Sequence, residues 1–365
     1  MNIAVLTSSR ADYGIYVPLL KALRQQGAID LTVVAFGMHT LKSQGNTVSD
    51  VLQDGYSVDI IDGMPPTDSV RDIAVGYGKI AQNFAKYWAE NQYDCVFALG
   101  DRWEMSAAVQ ASIPYNQRIA HIHGGETTLG AIDNIYRDQI SLASSLHFTA
   151  AEPFSERLSK LLLSRKGIHT VGSLSISDVN LSSLPSWDVV KSQFSIPFDR
   201  FALVTLHPET VNQELNTKFA STICNALEER IRHGSNFLVT GANSDAEGSI
   251  YNDKFKQLGA RHPQSVSFVQ NLGRLNYFRA MKQSLFLCGN TSSGIIEAAS
   301  FGKYVVNLGE RQKGRLTSNN VIHVPFEHDQ IDRTLVKVEL LGEFGGKNIY
   351  SGSNPTQDII DIIMQ

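Results

Sequence analysis

The sequence predicts an α/β protein of two doubly wound, Rossmann-like domains that face a central cleft. Short β-branched apolar runs alternate with amphipathic helical stretches along almost the whole chain, which is typical of parallel sheets covered by helices on both faces. The length of 365 residues exceeds the size at which one core usually keeps growing, so two domains are expected. Unusual polar residues follow seven of the apolar runs, and open parallel sheets bind their ligands at the carboxyl ends of strands.

Each domain is predicted from its own series of strands. The first series comprises residues 3–6, 31–36, 58–61, 95–99, 119–122, 146–149 and 169–171. After a polar stretch that contains proline, the second series comprises residues 201–206, 237–240, 266–269, 285–288, 304–308 and 321–324. We therefore place the first domain at 1–178 and the second at 179–354, with a linker near 175–200. The last segment, "PTQDIIDIIMQ" (355–365), is predicted to be a helix that packs back on the first domain.

Composition narrows the class of protein. A hydrophobic content of 42%, a charged content of 19% and a net charge of -4 are typical of an ordinary globular protein and give no basic excess for nucleic acid. Cys95, Cys224 and Cys288 lie far apart in apolar stretches, which indicates reduced, buried thiols. No stretch has the pattern of a signal peptide or the length of a membrane span. We expect a cytoplasmic protein with no nucleic-acid or membrane partner.

A segment rich in small hydroxyl residues, "GNTSSGIIE" (289–297), joins a strand to a predicted helix that starts near Ser293. Backbone N–H groups at such a junction favour a phosphate, and Thr291 and Ser292 would add hydroxyl donors. An ordinary serine N-cap is the alternative. Glu297, one turn further, would accept from a ribose hydroxyl or would only stabilise the helix dipole.

Several arginines follow strand ends. "GERQKGR" contributes Arg311, Lys313 and Arg315 after one strand of the second domain, and Arg10 follows the first strand of the first domain. Arginine suits bidentate phosphate contacts better than lysine does. Each of these side chains taken alone is more often a solvated charge than a ligand contact. Together they predict a clamp for a diphosphate.

The first domain supplies acidic and imidazole groups at its strand ends. Asp101, His123 and Glu126 follow two neighbouring strands, and Asp133 opens a helix. Carboxylates that lie together in a cleft have their pKa values raised into the range of a general acid or base. For Asp133 the alternative is a helix N-cap. His207, which Pro208 holds in an extended or turn conformation, is either functional or a satisfied core residue.

A metal site is a separate interpretation of "HIHGGE". In a strand, His121 and His123 would point the same way, and Glu126 would supply a third ligand. The sequence contains no HExxH or CxxC pattern, and a histidine buried in a sheet explains His121 equally well. Proton transfer by His123 and Glu126, with His121 as a structural residue, is therefore favoured over a metal.

Taken together, these stretches resemble the hydrolysing UDP-N-acetylglucosamine 2-epimerases of sialic acid biosynthesis, both the bacterial type and the epimerase half of the bifunctional animal enzyme. The resemblance runs through nearly the whole chain. The segments that carry it are "SRADYG" (9–14), "GMH" (37–39), "GDRWE" (100–104), "HIHGGETTLGAID" (121–133), "VGSL" (171–174), "HPET" (207–210), "GNTSSGIIE" (289–297) and "NLGERQKGR" (307–315).

The resemblance implies a glycosyltransferase-B-like fold and the conversion of UDP-GlcNAc and water to N-acetylmannosamine and UDP. The implied route eliminates UDP to give a 2-acetamidoglucal, to which water then adds. It requires an acid/base group at C2 and charge stabilisation on the departing diphosphate. No metal or nicotinamide cofactor is implied. The implied partners are the UDP-sugar, UDP and further copies of the chain in a homodimer or homotetramer.

The resemblance also implies roles for single residues. Asp101 and Asp133 match catalytic carboxylates, and His123 falls where some members carry a catalytic glutamate and others a histidine. Glu126 and His207 match active-site residues of the sugar pocket. The positions that match or accompany substrate contacts are Arg10, His39, Arg137, Asn243, Thr291, Ser292, Ser293, Glu297 and Arg311.

Two positions depart from the family pattern. In "DNIYRDQ", Asn134 stands where an acid is usual and Asp138 where a histidine is usual, whereas Arg137 is kept. A changed pocket implies a changed sugar, and relatives in the legionaminic acid pathway act on UDP-2,4-diacetamido-2,4,6-trideoxyglucose. A glycosyltransferase of the same fold, a non-hydrolysing epimerase and an inactive UDP-sugar sensor are the other hypotheses.

Overall fold

The computed structural model describes the chain apart from residues 42–46, 66, 68, 130–131, 178–183, 210–212 and 243–247. The chain divides into two compact units. One consists of Met1–Asp178 together with Tyr350–Gln365, and the other of Val179–Ile349.

Within the described residues, the first unit contains a seven-stranded parallel sheet with the strand order β3-β2-β1-β4-β5-β6-β7. Its strands are β1 (Asn2–Thr7), β2 (Asp30–Phe36), β3 (Ser57–Ile61), β4 (Cys95–Leu99), β5 (Ile119–Ile122), β6 (Leu146–Thr149) and β7 (Ile168–Thr170). Its helices are α1 (Arg10–Gln25), α2 (Val48–Gln53), α3 (Val70–Glu90), α4 (Trp103–Gln110), α5 (Asp133–Leu142), α6 (Glu152–Leu161) and the C-terminal α13 (Pro355–Ile363), with 3-10 turns at Gly37–Thr40, Ile113–Tyr115 and Leu174–Ile176.

The second unit contains a six-stranded parallel sheet with the order β10-β9-β8-β11-β12-β13. Its strands are β8 (Ala202–Thr205), β9 (Phe237–Thr240), β10 (Val266–Val269), β11 (Leu287–Gly289), β12 (Val305–Leu308) and β13 (Val321–Val324). Its helices are α7 (Trp187–Phe194), α8 (Asn216–Arg232), α9 (Gly248–Arg261), α10 (Arg274–Gln283), α11 (Ser292–Ile296) and α12 (His328–Leu341), with 3-10 turns at Gln213–Leu215 and Ala298–Phe301.

The prediction of two doubly wound α/β domains is confirmed, because every predicted apolar run overlaps a strand. In each sheet the strand order reverses at one point, next to β1 and β4 in the first unit and next to β8 and β11 in the second. Ligands bind doubly wound sheets at such switch points, outside the carboxyl ends of the strands. The topology therefore predicts that functional residues lie at the carboxyl ends of the strands in each sheet, beside β1 and β4 in the first unit and beside β8 and β11 in the second.

The C-terminal segment belongs to the first unit. Ile359, Ile360 and Ile363 of α13 are buried in the same hydrophobic cluster as side chains of β1, β4 and α1. The segment before the helix is bound to the sheet edge, since the Ser173 amide donates a hydrogen bond to the carbonyl of Tyr350 over 2.8 Å. Among the described residues, the helices lack the combination of length and apolar character that a membrane crossing requires.

Candidate active site

Asp101 follows β4 at the switch point of the first sheet. Gly100 turns the chain there with a φ of +79°, a conformation that glycine adopts without steric cost. The Asp101 carboxylate accepts a hydrogen bond from Arg137 Nη2, and the Arg137 side chain is 4% exposed. The Nε and Nη1 atoms of Arg137 are also buried and have no hydrogen-bond partner among the described residues. A buried guanidinium with unused donors is suited to bind a polar or anionic ligand.

His123 follows β5, the neighbouring strand, and pairs with Glu126. The two side chains are buried, and His123 Nδ1 lies 2.7 Å from Glu126 Oε1. His123 has a φ of +62°, which is uncommon for a residue with a Cβ atom and ends the strand at Ile122. Gly125 also has a positive φ, and a Cβ atom there would lie 2.4 Å from the carbonyl oxygen of Phe154. The glycine thus lets this loop pack tightly on α6.

His121 is a structural residue, as its burial in the sheet suggested. Its Nε2 lies 2.8 Å from the carbonyl oxygen of Gly100, and its Nδ1 lies 2.9 Å from Ser141 Oγ. Burial lowers the pKa of His121 to about 3, so the ring is neutral near pH 7. His123 does not continue the strand, which removes the shared direction that the metal interpretation required. The described residues contain no group of three His, Cys, Asp or Glu side chains able to hold a metal ion.

Helix α5 contains Asp133, the remaining acidic candidate, and also Asn134 and Asp138, the two residues that depart from the family pattern. Asp133 is an exposed residue in the first helical position, and the N-cap is Ile132, so the N-cap alternative for Asp133 is wrong. Asn134 binds both main-chain groups of Thr128: its Oδ1 accepts from the amide over 2.9 Å, and its Nδ2 donates to the carbonyl over 2.5 Å. An acid in this position would lack the donor for the carbonyl.

Asp138, the second departure, forms a bidentate ion pair with Arg157 on α6. Both nitrogen–oxygen distances are 2.7 Å, and both side chains are partly buried. Planar guanidinium and carboxylate groups in this arrangement give the most directional of ion pairs. Asp138 therefore links two helices of the first unit, which explains how the chain accommodates an acid at this position.

Arg10 and His39 lie at the ends of β1 and β2. The Arg10 side chain is 62% exposed and lies 3.4 Å from Asp50. His39 is fully buried, and its two ring nitrogens lie 3.0 Å from Thr7 Oγ1 and 2.8 Å from Thr47 Oγ1. Burial lowers the pKa of His39. The structure thus leaves Arg10 accessible, whereas the His39 ring is buried between Thr7 at the end of β1 and Thr47 before α2.

Sequence reasoning missed an arginine in "GDRWE". Arg102 Nε donates to Glu104 Oε1 over 2.5 Å, and its Nη2 lies 3.1 Å from the sulfur of Met38. Glu104 is fully buried, and burial raises its pKa. The Arg102 side chain remains 35% exposed at the carboxyl end of β4. Its place directly after Asp101 is the sequence signal that would have made it a candidate site residue.

In the second unit, the hydroxyl-rich turn follows β11. Gly289 is required here, since a Cβ atom would lie 1.8 Å from the carbonyl oxygen of Thr205 on the neighbouring strand. The N-cap of α11 is Thr291, whose side chain accepts from the Ser293 amide, so the alternative of a serine N-cap is wrong and the helix starts at Ser292. Glu297 follows the last residue of this short helix, so a role in stabilising the helix N-terminus does not apply to it.

A tyrosine on α10, Tyr277, packs against this turn. The Tyr277 hydroxyl lies 3.4 Å from Thr205 Oγ1 and also interacts with Ser293. Burial, together with the charge of Glu297, raises the pKa of Tyr277, so the phenol remains protonated. Thr291, Ser292, Ser293 and Glu297 are therefore brought together at one strand end, as the sequence predicted.

The chain segments that contain His207 and Arg311 are joined by Glu209, which sequence reasoning did not single out. Glu209 is buried, and its Oε1 accepts from the amides of Glu310 at 2.8 Å and Arg311 at 3.1 Å. Arg311 Nη1 donates to the carbonyl of Pro208 over 2.6 Å. The loop after β12 is thereby fixed beside the loop after β8. Asn243, the other predicted contact, lies outside the described residues.

Two Rossmann-type units with acidic, imidazole, hydroxyl and guanidinium groups collected at their strand ends define a glycosyltransferase-B-like protein. Over residues 21–364 the chain matches the family described as UDP-N-acetylglucosamine 2-epimerase. The chain belongs to this family, which confirms the resemblance at family level.

Individual relatives agree with this assignment. The chain is 34% identical to the UDP-N,N'-diacetylbacillosamine 2-epimerase (hydrolyzing) of Legionella pneumophila, covering 90% of this chain and 86% of the relative. It is 30% identical to the polysialic acid biosynthesis protein P7 of Escherichia coli, covering 91% of this chain and 84% of the relative. Its fold is similar to that of the UDP-GlcNAc 2-epimerase of Neisseria meningitidis bound to UDP-GlcNAc, with a TM-score of 0.80 at 17% identity and full coverage of both chains.

Proposed function

We propose that the protein is a hydrolysing UDP-GlcNAc 2-epimerase, which converts UDP-GlcNAc and water to N-acetylmannosamine and UDP for the synthesis of sialic acid-type sugars. Membership of the 2-epimerase family supports the chemistry at C2. The relatives support the hydrolytic outcome and the pathway, since one is named a hydrolyzing epimerase and another a polysialic acid biosynthesis protein.

The observation that carries the proposal is a pair of proton-handling groups on adjacent strands of one sheet. Asp101, bound to Arg137, follows β4, and His123, bound to Glu126, follows β5, with which β4 is paired. Elimination of UDP removes the C2 proton and gives a 2-acetamidoglucal. Water then adds at C1 while C2 is protonated from the opposite face. Two separately held groups suit a reaction that takes a proton on one face and returns it on the other.

The other residues are assigned by the same route. Asp133 is a third proton-handling candidate, and His207 contacts the sugar. Negative charge develops on the departing diphosphate, and cations and hydroxyl donors stabilise such charge. The residues assigned to bind UDP are Arg10, Thr291, Ser292, Ser293, Glu297 and Arg311, together with Asn243. His39, which is buried, is assigned a supporting role.

A second substrate has its own support. The relative from Legionella is named for a diacetylated sugar, and that sugar corresponds to the UDP-2,4-diacetamido-2,4,6-trideoxyglucose alternative. Asn134 and Asp138, the departures near the sugar side, have partners in Thr128 and Arg157. A pocket rearranged by these contacts would favour the same reaction on the diacetamido sugar. Family membership disfavours the glycosyltransferase hypothesis.

One experiment separates these candidates. The protein is incubated with each UDP-sugar in water, without an acceptor, and the products are followed by proton NMR. Release of free N-acetylmannosamine and UDP supports the main proposal, and faster turnover of the diacetamido sugar supports the second. UDP-ManNAc as the product would indicate a non-hydrolysing epimerase. UDP binding with no turnover of either sugar would indicate an inactive sensor and contradict the proposal.

We also propose a cytoplasmic homodimer or homotetramer. The three cysteines are all free and buried, which is usual in a reducing compartment. Light scattering of the full chain measures the mass of the assembly, and a monomer at micromolar concentration would contradict this proposal.

A further inference from the structure

His123 lies between a carboxylate and a hydroxyl group. On one side its Nδ1 lies 2.7 Å from Glu126 Oε1, and on the other its Nε2 lies 3.5 Å from Ser173 Oγ. Ser173 Oγ in turn lies 3.0 Å from Ser175 Oγ and accepts from the Ser175 amide over 3.3 Å. The four side chains form one line, and the motif "VGSL" (171–174), which supplies Ser173 and directly precedes Ser175, has no role in the proposed function so far.

The position of Ser173 is fixed from outside the line. Ser173 is fully buried, and its amide donates to the carbonyl of Tyr350. Gly172 has a φ of +97°, and a Cβ atom there would lie 2.3 Å from the amide nitrogen of Gly352. The C-terminal segment therefore packs directly against the loop after β7, which carries Ser173. Ser175 is 7% exposed, which places it at the outer end of the line.

The two ends of the imidazole have different chemistry. An ionised carboxylate only accepts hydrogen bonds, so Glu126 holds the proton on Nδ1 and leaves the lone pair on Nε2. The contact of Nε2 with Ser173 is long, and a long contact is weak and readily replaced. His121 differs, because both of its ring nitrogens make short contacts. Nε2 of His123 is thus the atom able to accept a proton.

We propose that Ser173 is a positioning residue that aligns His123 Nε2 and, with Ser175, relays its proton. The proposal deepens the proposed function and rests on it. When Nε2 takes the C2 proton of the sugar, an imidazolium forms beside Glu126. Nε2 then passes a proton to Ser173 Oγ, the Ser173 hydroxyl proton passes to Ser175 Oγ, and the Ser175 proton passes to water. Both hydroxyl groups are restored, and the imidazole is neutral again.

Kinetics of serine variants test the relay. Ser173→Ala should lower kcat about tenfold or more, up to the 10²- to 10⁴-fold that a proton-transfer group typically contributes, with KM changed less than twofold. The solvent deuterium isotope effect on kcat should rise, because proton transfer becomes rate-limiting. Ser173→Thr keeps a hydroxyl group and should recover most of the loss. Ser141→Ala is the matched control, since it removes a serine from a nitrogen of His121 and should leave kcat and the isotope effect unchanged.

A spectroscopic arm reports on the geometry without turnover. In the full chain labelled with ¹⁵N-histidine, long-range ¹H–¹⁵N spectra should show His123 protonated on Nδ1, with its signal assigned by comparison with His123→Asn. The Nε2 signal should shift in Ser173→Ala, and Glu126→Gln should weaken the preference for protonation on Nδ1.

Each result decides one proposition. Failure of the wild-type protein to turn over either UDP-sugar overturns the proposed function, while the NMR result still decides the geometry of the line. Protonation of His123 on Nε2 overturns the relay, as does an unchanged kcat in Ser173→Ala. An equal loss in Ser141→Ala, or no recovery in Ser173→Thr, overturns it as well.

Discussion

The side chain of Asn290 holds both main-chain groups of His207. Its Oδ1 accepts from the His207 amide over 2.8 Å, and its Nδ2 donates to the His207 carbonyl over 2.9 Å. Asn290 follows β11 and His207 follows β8, which are paired in the second sheet. The side-chain amide of Asn290 thus joins the two strands at the switch point of that sheet and fixes the main chain of His207 there.

Asn290→Asp should impair both folding and catalysis. The carboxylate retains the acceptor, loses the donor and sets an oxygen against the His207 carbonyl. We expect the free energy of unfolding to fall by about 1–3 kcal/mol, the usual result of leaving a buried polar group unpaired, and kcat to fall with it. Asn320→Asp is the control. Asn320 is a buried residue just before β13, and its Nδ2 donates to the carbonyl of Lys303 just before β12, at the amino ends of the strands of the same sheet. It should destabilise the fold in urea without lowering kcat, and equal kcat losses in both variants would contradict a specific role for Asn290.

Asp101→Asn should retain UDP binding and lose turnover. The amide keeps the shape of the carboxylate but cannot serve as an acid or base, so kcat should fall about 10²- to 10⁴-fold. Calorimetric titration with UDP checks binding, and NMR checks turnover. Asp94→Asn, which changes an exposed carboxylate just before the amino end of the same strand, should leave both unchanged. Normal turnover in Asp101→Asn would remove this residue from the mechanism.

Glu209→Ala should weaken UDP binding. The substitution leaves the amides of Glu310 and Arg311 without their acceptor, so the loop that carries the Arg311 guanidinium loses its anchor. We expect a rise in the Kd for UDP of about 5- to 30-fold, which corresponds to about 1–2 kcal/mol. Glu209→Gln retains one acceptor oxygen and should show a smaller effect. Unchanged UDP affinity in Glu209→Ala would show that this loop does not contact the nucleotide.

Stability should fall in mildly acidic solution because of two buried histidines. Burial lowers the pKa of His121 to about 3 and that of His147 to about 4, from an ordinary value of 6.5. Below pH 6.5 the unfolded chain therefore takes up protons that the native chain does not, and each histidine reduces the free energy of unfolding by about 1.4 kcal/mol per pH unit until its native pKa is reached. Urea denaturation between pH 7.5 and 5 measures the slope. His147→Gln should remove about half of the pH dependence of the free energy of unfolding that His121 and His147 contribute together. An unchanged slope in this variant would contradict the assignment.

The strands were predictable because their signal is local. Each apolar run identifies a strand, and parallel topology brings the carboxyl ends to one edge, so the sequence places Asp101, His123 and Thr291 at strand ends. The partners of these side chains were not predictable in the same way. Glu209 reads as a solvated charge because its partners, the amides of Glu310 and Arg311, lie about a hundred residues further along the chain.

Local patterns also misled where tertiary contacts decide. His39 follows a strand like the other site residues, yet two threonine hydroxyls enclose its ring. Thr291, and not a serine, caps α11, because all three hydroxyl residues of "TSS" satisfy the same sequence preference. The bidentate contact of Asp138 with Arg157 was not predictable either, because the two residues lie on different helices, 19 residues apart in the chain.

The return of residues 350–365 to the first unit has a consequence for synthesis on the ribosome. The second unit is contiguous and is able to complete its core while the first still lacks Ile359, Ile360 and Ile363. The amide of Ser173 also lacks its acceptor until Tyr350 has emerged. The N-terminal part of the chain is therefore expected to reach its final packing last, so the line of groups at His123 matures only after translation has passed the second unit.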